Sequence, residues 1–196
     1  MARFRSLKVL IRGWFRSDSW DRSQPLPPEC SDEGVSTLSL VNPLFACLTE
    51  GGDTADRAAF ALGGVMAKLY GESHEEAKNI VRRFMWHMNE ESGNIGWGIP
   101  EAFGETLAQC PPLADTCKGV LLHYVYDAPA GPSTSVCDQA PLRLSCYKAL
   151  GRLLAARPDL VNGSLPILRH SAQNESDDAC RDAARALVRK YMLTAL

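Results

Sequence analysis

The chain has 196 residues and a net charge of −2, with 45% hydrophobic and 22% charged residues. These values exclude a disordered or fibrous chain and fit one folded domain with room for a tail. Its 23 Ala and 24 Leu against 10 Val and 5 Ile favour helix over sheet, and the near-neutral charge argues against broad, non-specific DNA binding.

Residues 1–16 read as an amphipathic N-terminal helix. At 100° per residue Phe4, Leu7, Leu10, Ile11, Trp14 and Phe15 share one arc, with Arg5, Lys8, Arg12 and Arg16 beside it. The segment carries five basic side chains and no acidic one, so the rest of the chain carries −7 by difference. Two roles fit: a cap covering the end of the following domain, which is favoured, or a membrane-surface helix with Trp14 and Phe15 in the headgroup layer. The interspersed arginines exclude a signal peptide. No run of about 18 apolar residues occurs, so no transmembrane helix is expected.

Residues 17–37 form an irregular linker, with Pro25, Pro27 and Pro28 and no periodicity. From Leu38 to residue 196 the pattern is helical almost throughout. Helices are expected near 40–49, 53–70, 73–89, 99–109, 113–127, 140–156, 158–171 and 176–193. Their starts carry specific signals. Asp53 or Thr54 is the expected N-cap after Gly51 and Gly52, and Ser73 with Glu76 makes a capping box. Pro100, Pro112 and Pro141 suit first turns, and Ser176, Asp177 and Asp178 supply acceptors to the last helix. The stretches Asn89–Gly98 and Ala128–Gln139 remain irregular.

The seven cysteines, an odd number at irregular spacing, do not suggest a disulfide framework. No CxxC or paired Cys/His spacing is present, so no metal is expected, nor any other cofactor. A reduced, cytoplasmic protein is expected. Cys137, in its Pro/Gly/Ser-rich loop, is either an exposed thiol or a bystander.

A recurrence organises the helical region. Arg57-Ala-Ala-Phe-Ala-Leu-Gly63, Gly98-Ile-Pro-Glu-Ala-Phe-Gly104, Ser145-Cys-Tyr-Lys-Ala-Leu-Gly151 and Arg181-Asp-Ala-Ala-Arg-Ala-Leu187 align on Ala61, Ala102, Ala149 and Ala186, at steps of 41, 47 and 37 residues. Periods in this range belong to stacked two-helix repeats, and the small residues let backbones approach where helices cross. These segments resemble the HEAT-like repeat of the phycobilisome-lyase type, a D-x-x-V-R-x-x-A-A-x-A-L-G pattern. Asp56 to Gly63 and Asp178 to Leu187 match best. The Ala102 repeat departs, opening with Trp97-Gly98-Ile99-Pro100 instead of Asp and Arg. The resemblance spans residues 40–193 and implies an all-α, right-handed α-α superhelix, an armadillo-type solenoid of about four helix pairs plus the N-terminal helix.

A narrower resemblance lies in Arg82-Arg83-Phe84-Met85-Trp86-His87-Met88-Asn89-Glu90-Glu91-Ser92-Gly93-Asn94-Ile95-Gly96-Trp97-Gly98-Ile99-Pro100-Glu101. This string is similar to the central motif of a small uncharacterised family of HEAT-like proteins known mainly from sulfate-reducing bacteria. The likeness implies a fold and brings no activity with it.

The same segment is the strongest site candidate, through Arg82, Arg83, Trp86, Asn89, Glu91, Trp97 and Glu101. Gly93, Gly96 and Gly98 permit backbone geometry closed to other residues, and Pro100 starts a helix with free N–H groups. One reading has Glu91 or Glu101 neutralise Arg82 or Arg83 and the tryptophans pin a long loop. The other is a pocket for a peptide or small polar ligand, with Trp supplying flat contact area. No nucleophile elbow, HExxH or P-loop occurs; His87 near Glu90 and Glu91, and His123 near Tyr124 and Tyr126, read as surface or satisfied residues, so no catalytic residue is assigned. The favoured function is a non-enzymatic scaffold or adaptor binding another protein. The alternative is a ligand- or nucleic-acid-processing protein with a DNA-glycosylase-like HEAT fold, Trp86, Trp97, Arg82 and Arg83 lining its surface. The net charge argues against nucleic acid.

Overall fold

The computed structural model describes residues 2–89, 96–125, 137 and 139–192, with side chains from Arg5 onward. The fold is all-α. Among the described residues there are nine α-helices and no strand. They are α1 (Ala2–Phe15), α2 (Thr37–Leu48), α3 (Gly52–Glu72), α4 (His74–Met88), α5 (Ile99–Gln109), α6 (Pro111–Tyr124), α7 (Ala140–Ala156), α8 (Val161–Asn174) and α9 (Asp178–Met192). None of the helices described is long and apolar enough to cross a membrane.

Local chemistry sets the helix ends. Ser73 Oγ accepts from Glu76 N–H at the start of α4, and Asp177 Oδ1 accepts from Cys180 N–H at the start of α9. Prolines occupy the first turns of α5, α6 and α7, where the missing N–H costs no helix bond. Several ends differ from the sequence expectation: α6 stops at Tyr124 and not near 127, and α8 runs Val161–Asn174 and not 158–171, after a short 3-10 turn at Pro158–Leu160. Helix α2 begins at Thr37 because Ser36 Oγ accepts from Ser39 N–H. The N-cap of α3 is Gly51, at φ 74°, without a side-chain bond, and not Asp53 or Thr54.

The recurrent small residues mark the closest approaches. Helix α3 packs on α5, α5 on α7 and α7 on α9. A Cβ added at Gly63 would lie 2.8 Å from the Glu105 carbonyl oxygen, and one at Gly104 would lie 2.7 Å from Ala149 Cα. At Gly151 it would lie 3.2 Å from Leu187 Cδ2. The aligned Ala61, Ala102 and Ala149 are buried beside these positions. Three of the four aligned segments therefore place small residues at helix crossings, as steric exclusion requires; in the fourth, Ala186 on α9 is exposed and marks no crossing.

Helix α1 lies on α2 and α3 with Leu7, Ile11 and Phe15 buried. Part of the apolar face that would enter a headgroup layer is thus packed against protein, while Leu10 and Trp14 are half-buried; the side chain of Phe4 lies outside the described residues. Two interactions hold it. Arg12 Nε and Arg16 Nη2 reach the Glu50 carboxylate at 2.5 and 2.9 Å. Arg57 donates from α3 to the carbonyls of Phe15 and Ser17 at 2.7 and 3.0 Å, which satisfies acceptors at the end of α1. In the segment that follows, Trp20 packs edge-on against Phe60 and Cys30 is buried.

The other end of the chain is tied by a buried polar cluster. The Glu175 carboxylate takes Arg143 Nη2 at 2.9 Å and the Tyr147 hydroxyl at 3.2 Å. Burial pushes the Glu175 carboxyl up, but the bonds from Arg143 and Asp177 N–H, with the Arg143 charge, outweigh it and hold the group below its usual value. The Ser171 hydroxyl donates to the Val125 carbonyl at 2.6 Å, joining α8 to the end of α6, and the Tyr147 oxygen, its proton given to Glu175, lies 3.4 Å from the same carbonyl.

Candidate functional site

The structure divides the Arg82–Glu101 segment in two. Its first half runs along α4 and is tied into the protein. Arg83 Nη1 donates to Asn42 Oδ1 on α2, and its guanidinium lies 4.1 Å from the centroid of the Phe45 ring. Burial lowers its pKa. Arg82 is exposed and donates to Asn79 Oδ1 one turn back. Asn89 Oδ1 accepts from the Tyr124 hydroxyl at 2.6 Å, which links the end of α4 to the end of α6. Burial pushes that phenol up to about 12, so it stays protonated and remains a donor. Trp86 stands 71% exposed. Glu91 lies outside the described residues, as does Gly93.

The expected pairing of Glu101 with Arg82 or Arg83 does not form, because the second half of the segment faces elsewhere. Two glycines set its course. A Cβ at Gly96 would meet the His87 carbonyl oxygen at 2.8 Å. Gly98, the N-cap of α5, has φ 73° and would place a Cβ 2.8 Å from the Leu48 carbonyl oxygen. The start of α5 is thereby wedged between the ends of α4 and α2. Trp97 and Glu101 then project toward the first turns of α3 and α7.

There they line a cavity of about 570 Å³ formed by the N-terminal ends of α3, α5 and α7 and the turn after α2. This is within the range of roughly 300–1,000 Å³ for ligand sites. Leu48, Ala55, Pro141 and Leu144 give it apolar walls, and Glu50, Asp56, Glu101 and Lys148 supply charge. Trp97 is 48% exposed at its edge. Glu101 Oε2 is buried and has no hydrogen-bond partner among the described residues. Glu50 is matched by Arg12 and Arg16, whereas neither Asp56 nor Glu101 has an ion-pair partner among the described residues.

The site was only partly foreseen. Trp97 and Glu101 were candidates; Glu50, Asp56 and Lys148 were not. A signal for two of them existed in the recurrence. Asp56, Trp97 and Leu144 each precede the aligned alanine by five positions, while Glu101 and Lys148 precede it by one. Equivalent positions on neighbouring stacked helices face a common space.

Elsewhere the chemistry is quiet. Burial raises the thiols of Cys30 and Cys47 to about 11 and that of Cys180 to about 12, and it raises Cys110, Cys117 and Cys146 as well. These six are protonated at neutral pH and are poor nucleophiles. Cys137 is buried, not an exposed thiol.

Comparison with known proteins returns no family model, no curated protein and no solved structure that matches this chain.

Proposed function

We propose that this chain is a non-enzymatic, HEAT-like repeat protein, a small scaffold or adaptor that holds a protein partner on the face made by the first turns of α3, α5 and α7. One observation carries the reading: half-exposed Trp97 stands at the edge of a cavity lined by Asp56 and Glu101, neither of which has an ion-pair partner among the described residues. Exposed Trp is costly to leave in water and is enriched at binding surfaces. The glycine wedge gives the residue a fixed backbone seat, which lowers the entropy lost on binding.

The repeat reading rests on the four aligned segments and on the close approaches at Gly63, Gly104 and Gly151, which fit a right-handed α-α superhelix of about four pairs. Helix α1 serves as the cap of the first pair, held by Glu50 and Arg57. The seven cysteines, none in a disulfide among the described residues, fit a reducing, cytoplasmic setting. Nucleic-acid processing fits less well, since Glu50, Asp56 and Glu101 line the cavity against Lys148 alone and repel phosphate.

The test is affinity capture from the producing cells with wild-type, Trp97→Ala and Trp86→Ala baits, each checked for unchanged helicity. A partner held by wild type and Trp86→Ala but lost by Trp97→Ala supports the reading. Equal capture by all three overturns it.

A further inference from the structure

We infer that the cavity between the first turns of α3, α5 and α7 receives a guanidinium group, presented as an arginine side chain of the partner. This rests on the partner-binding reading and adds the chemistry of what enters.

Four features converge on a planar cation. The first is the orphaned acceptor. Glu101 lines the cavity, and its Oε2 has no donor among the described residues. A guanidinium that reaches this carboxylate supplies donors that the described residues do not. Charge balance is the second. Glu50 is matched by Arg12 and Arg16, but Asp56 and Glu101 face the cavity with no ion-pair partner among the described residues. The third is Trp97, whose indole stands half-exposed at the edge. A guanidinium stacks on such a face by cation–π attraction and donates in its own plane at the same time, which an ammonium cannot match. Leu48, Ala55, Pro141 and Leu144 are the fourth, an apolar wall suited to the methylene stem of arginine.

Two features favour an anion instead: the helix N-termini and Lys148. Asp56 and Glu101, in the early turns of α3 and α5, already place negative charge in the field of those two termini. Lys148 is exposed, and it suits a carbonyl or carboxylate on the peptide that carries the arginine. The cavity is thus polarised, with carboxylates on the α3 and α5 sides and an amine on α7.

The test is calorimetric titration of the full chain with N-acetyl-Ala-Arg-Ala-amide. The controls are the same peptide with citrulline, which has nearly the same shape without the charge, and inorganic phosphate. The arginine peptide is expected to bind at least about tenfold more tightly than the citrulline peptide, the worth of one charge-assisted hydrogen bond. Glu101→Gln and Asp56→Asn each weaken the arginine peptide without lowering the melting temperature, and added salt weakens it too. Lys148→Gln strengthens it by about threefold by removing a like charge. Equal affinity for the two peptides, no binding of the arginine peptide at millimolar concentration, or phosphate binding that depends on Lys148 would each overturn the inference. If capture still depends on Trp97 while the arginine peptide fails, the guanidinium is wrong and the partner surface stands. If the arginine peptide binds through Glu101 while capture ignores Trp97, the guanidinium site stands and the partner surface does not.

Discussion

Glu101 and Glu105 lie one turn apart on α5, and across from them Lys148 and Arg152 lie one turn apart on α7. The lower rung is closed. Glu105 is buried, pairs with Arg152 Nη1 at 3.0 Å and takes a further bond from Gln109. The upper rung is open: Glu101 keeps a buried oxygen with no partner among the described residues and makes no ion pair with Lys148. Between the rungs the helices cross at Gly104 and Ala149, too close for a methyl group. Two packed helices with like residue types one turn apart thus pair beside the crossing and stay open toward their N-terminal ends. The difference separates a carboxylate tied across the helix pair from one that is not.

That contrast predicts a descending series of effects. The largest comes from a carboxylate that is buried and fully partnered. Glu175→Ala strands Arg143 and is expected to cost about 4 kcal/mol in urea unfolding. The pH dependence has a definite sign. The Glu175 carboxyl sits below its usual value of 4.5 in the fold, so its contribution is complete above that value and is lost as pH falls through the lower folded one. A Glu175→Gln variant therefore shows a shallower loss of stability in acid than wild type. Next is Gly104→Val at the crossing, expected to cost about 3 kcal/mol by overpacking against Ala149. Glu105→Gln is expected to cost about 1 kcal/mol, because Arg152 remains half-exposed and can return to water. Glu101→Gln is the smallest, within about 0.5 kcal/mol, since favourable charge at a helix start offsets the cost of its orphaned oxygen. A loss of 2 kcal/mol or more at Glu101 would place it with Glu105 as a structural residue and erase the contrast.

The helices were legible in the sequence because their signals are local. The bounds 99–109 and 140–156 agree with α5 and α7, where first-turn prolines and apolar periodicity act within a few residues. The crossings were legible too, because Ala61, Ala102 and Ala149 recur with a following glycine. The cavity was not. Asp56 and Lys148 come from α3 and α7 and Trp97 from the turn before α5, and only the packing of these elements makes them neighbours. The Arg82–Glu101 string read as one site because it is continuous, yet the wedge at Gly96 and Gly98 turns its two halves in different directions. Arg83 found its partners in Asn42 and Phe45, some 40 residues away, a pairing that no local pattern encodes.

The central claim is that the open rung is the working surface. Photo-crosslinking tests it directly, with p-benzoylphenylalanine placed at position 141 on the cavity rim in one preparation and at position 86 in another, in the cells that produce the protein. The account predicts one discrete adduct from position 141, suppressed by Glu101→Gln in the same chain, and no matching adduct from position 86. The same adduct from position 86 alone, or adducts from 141 indifferent to Glu101, would contradict it.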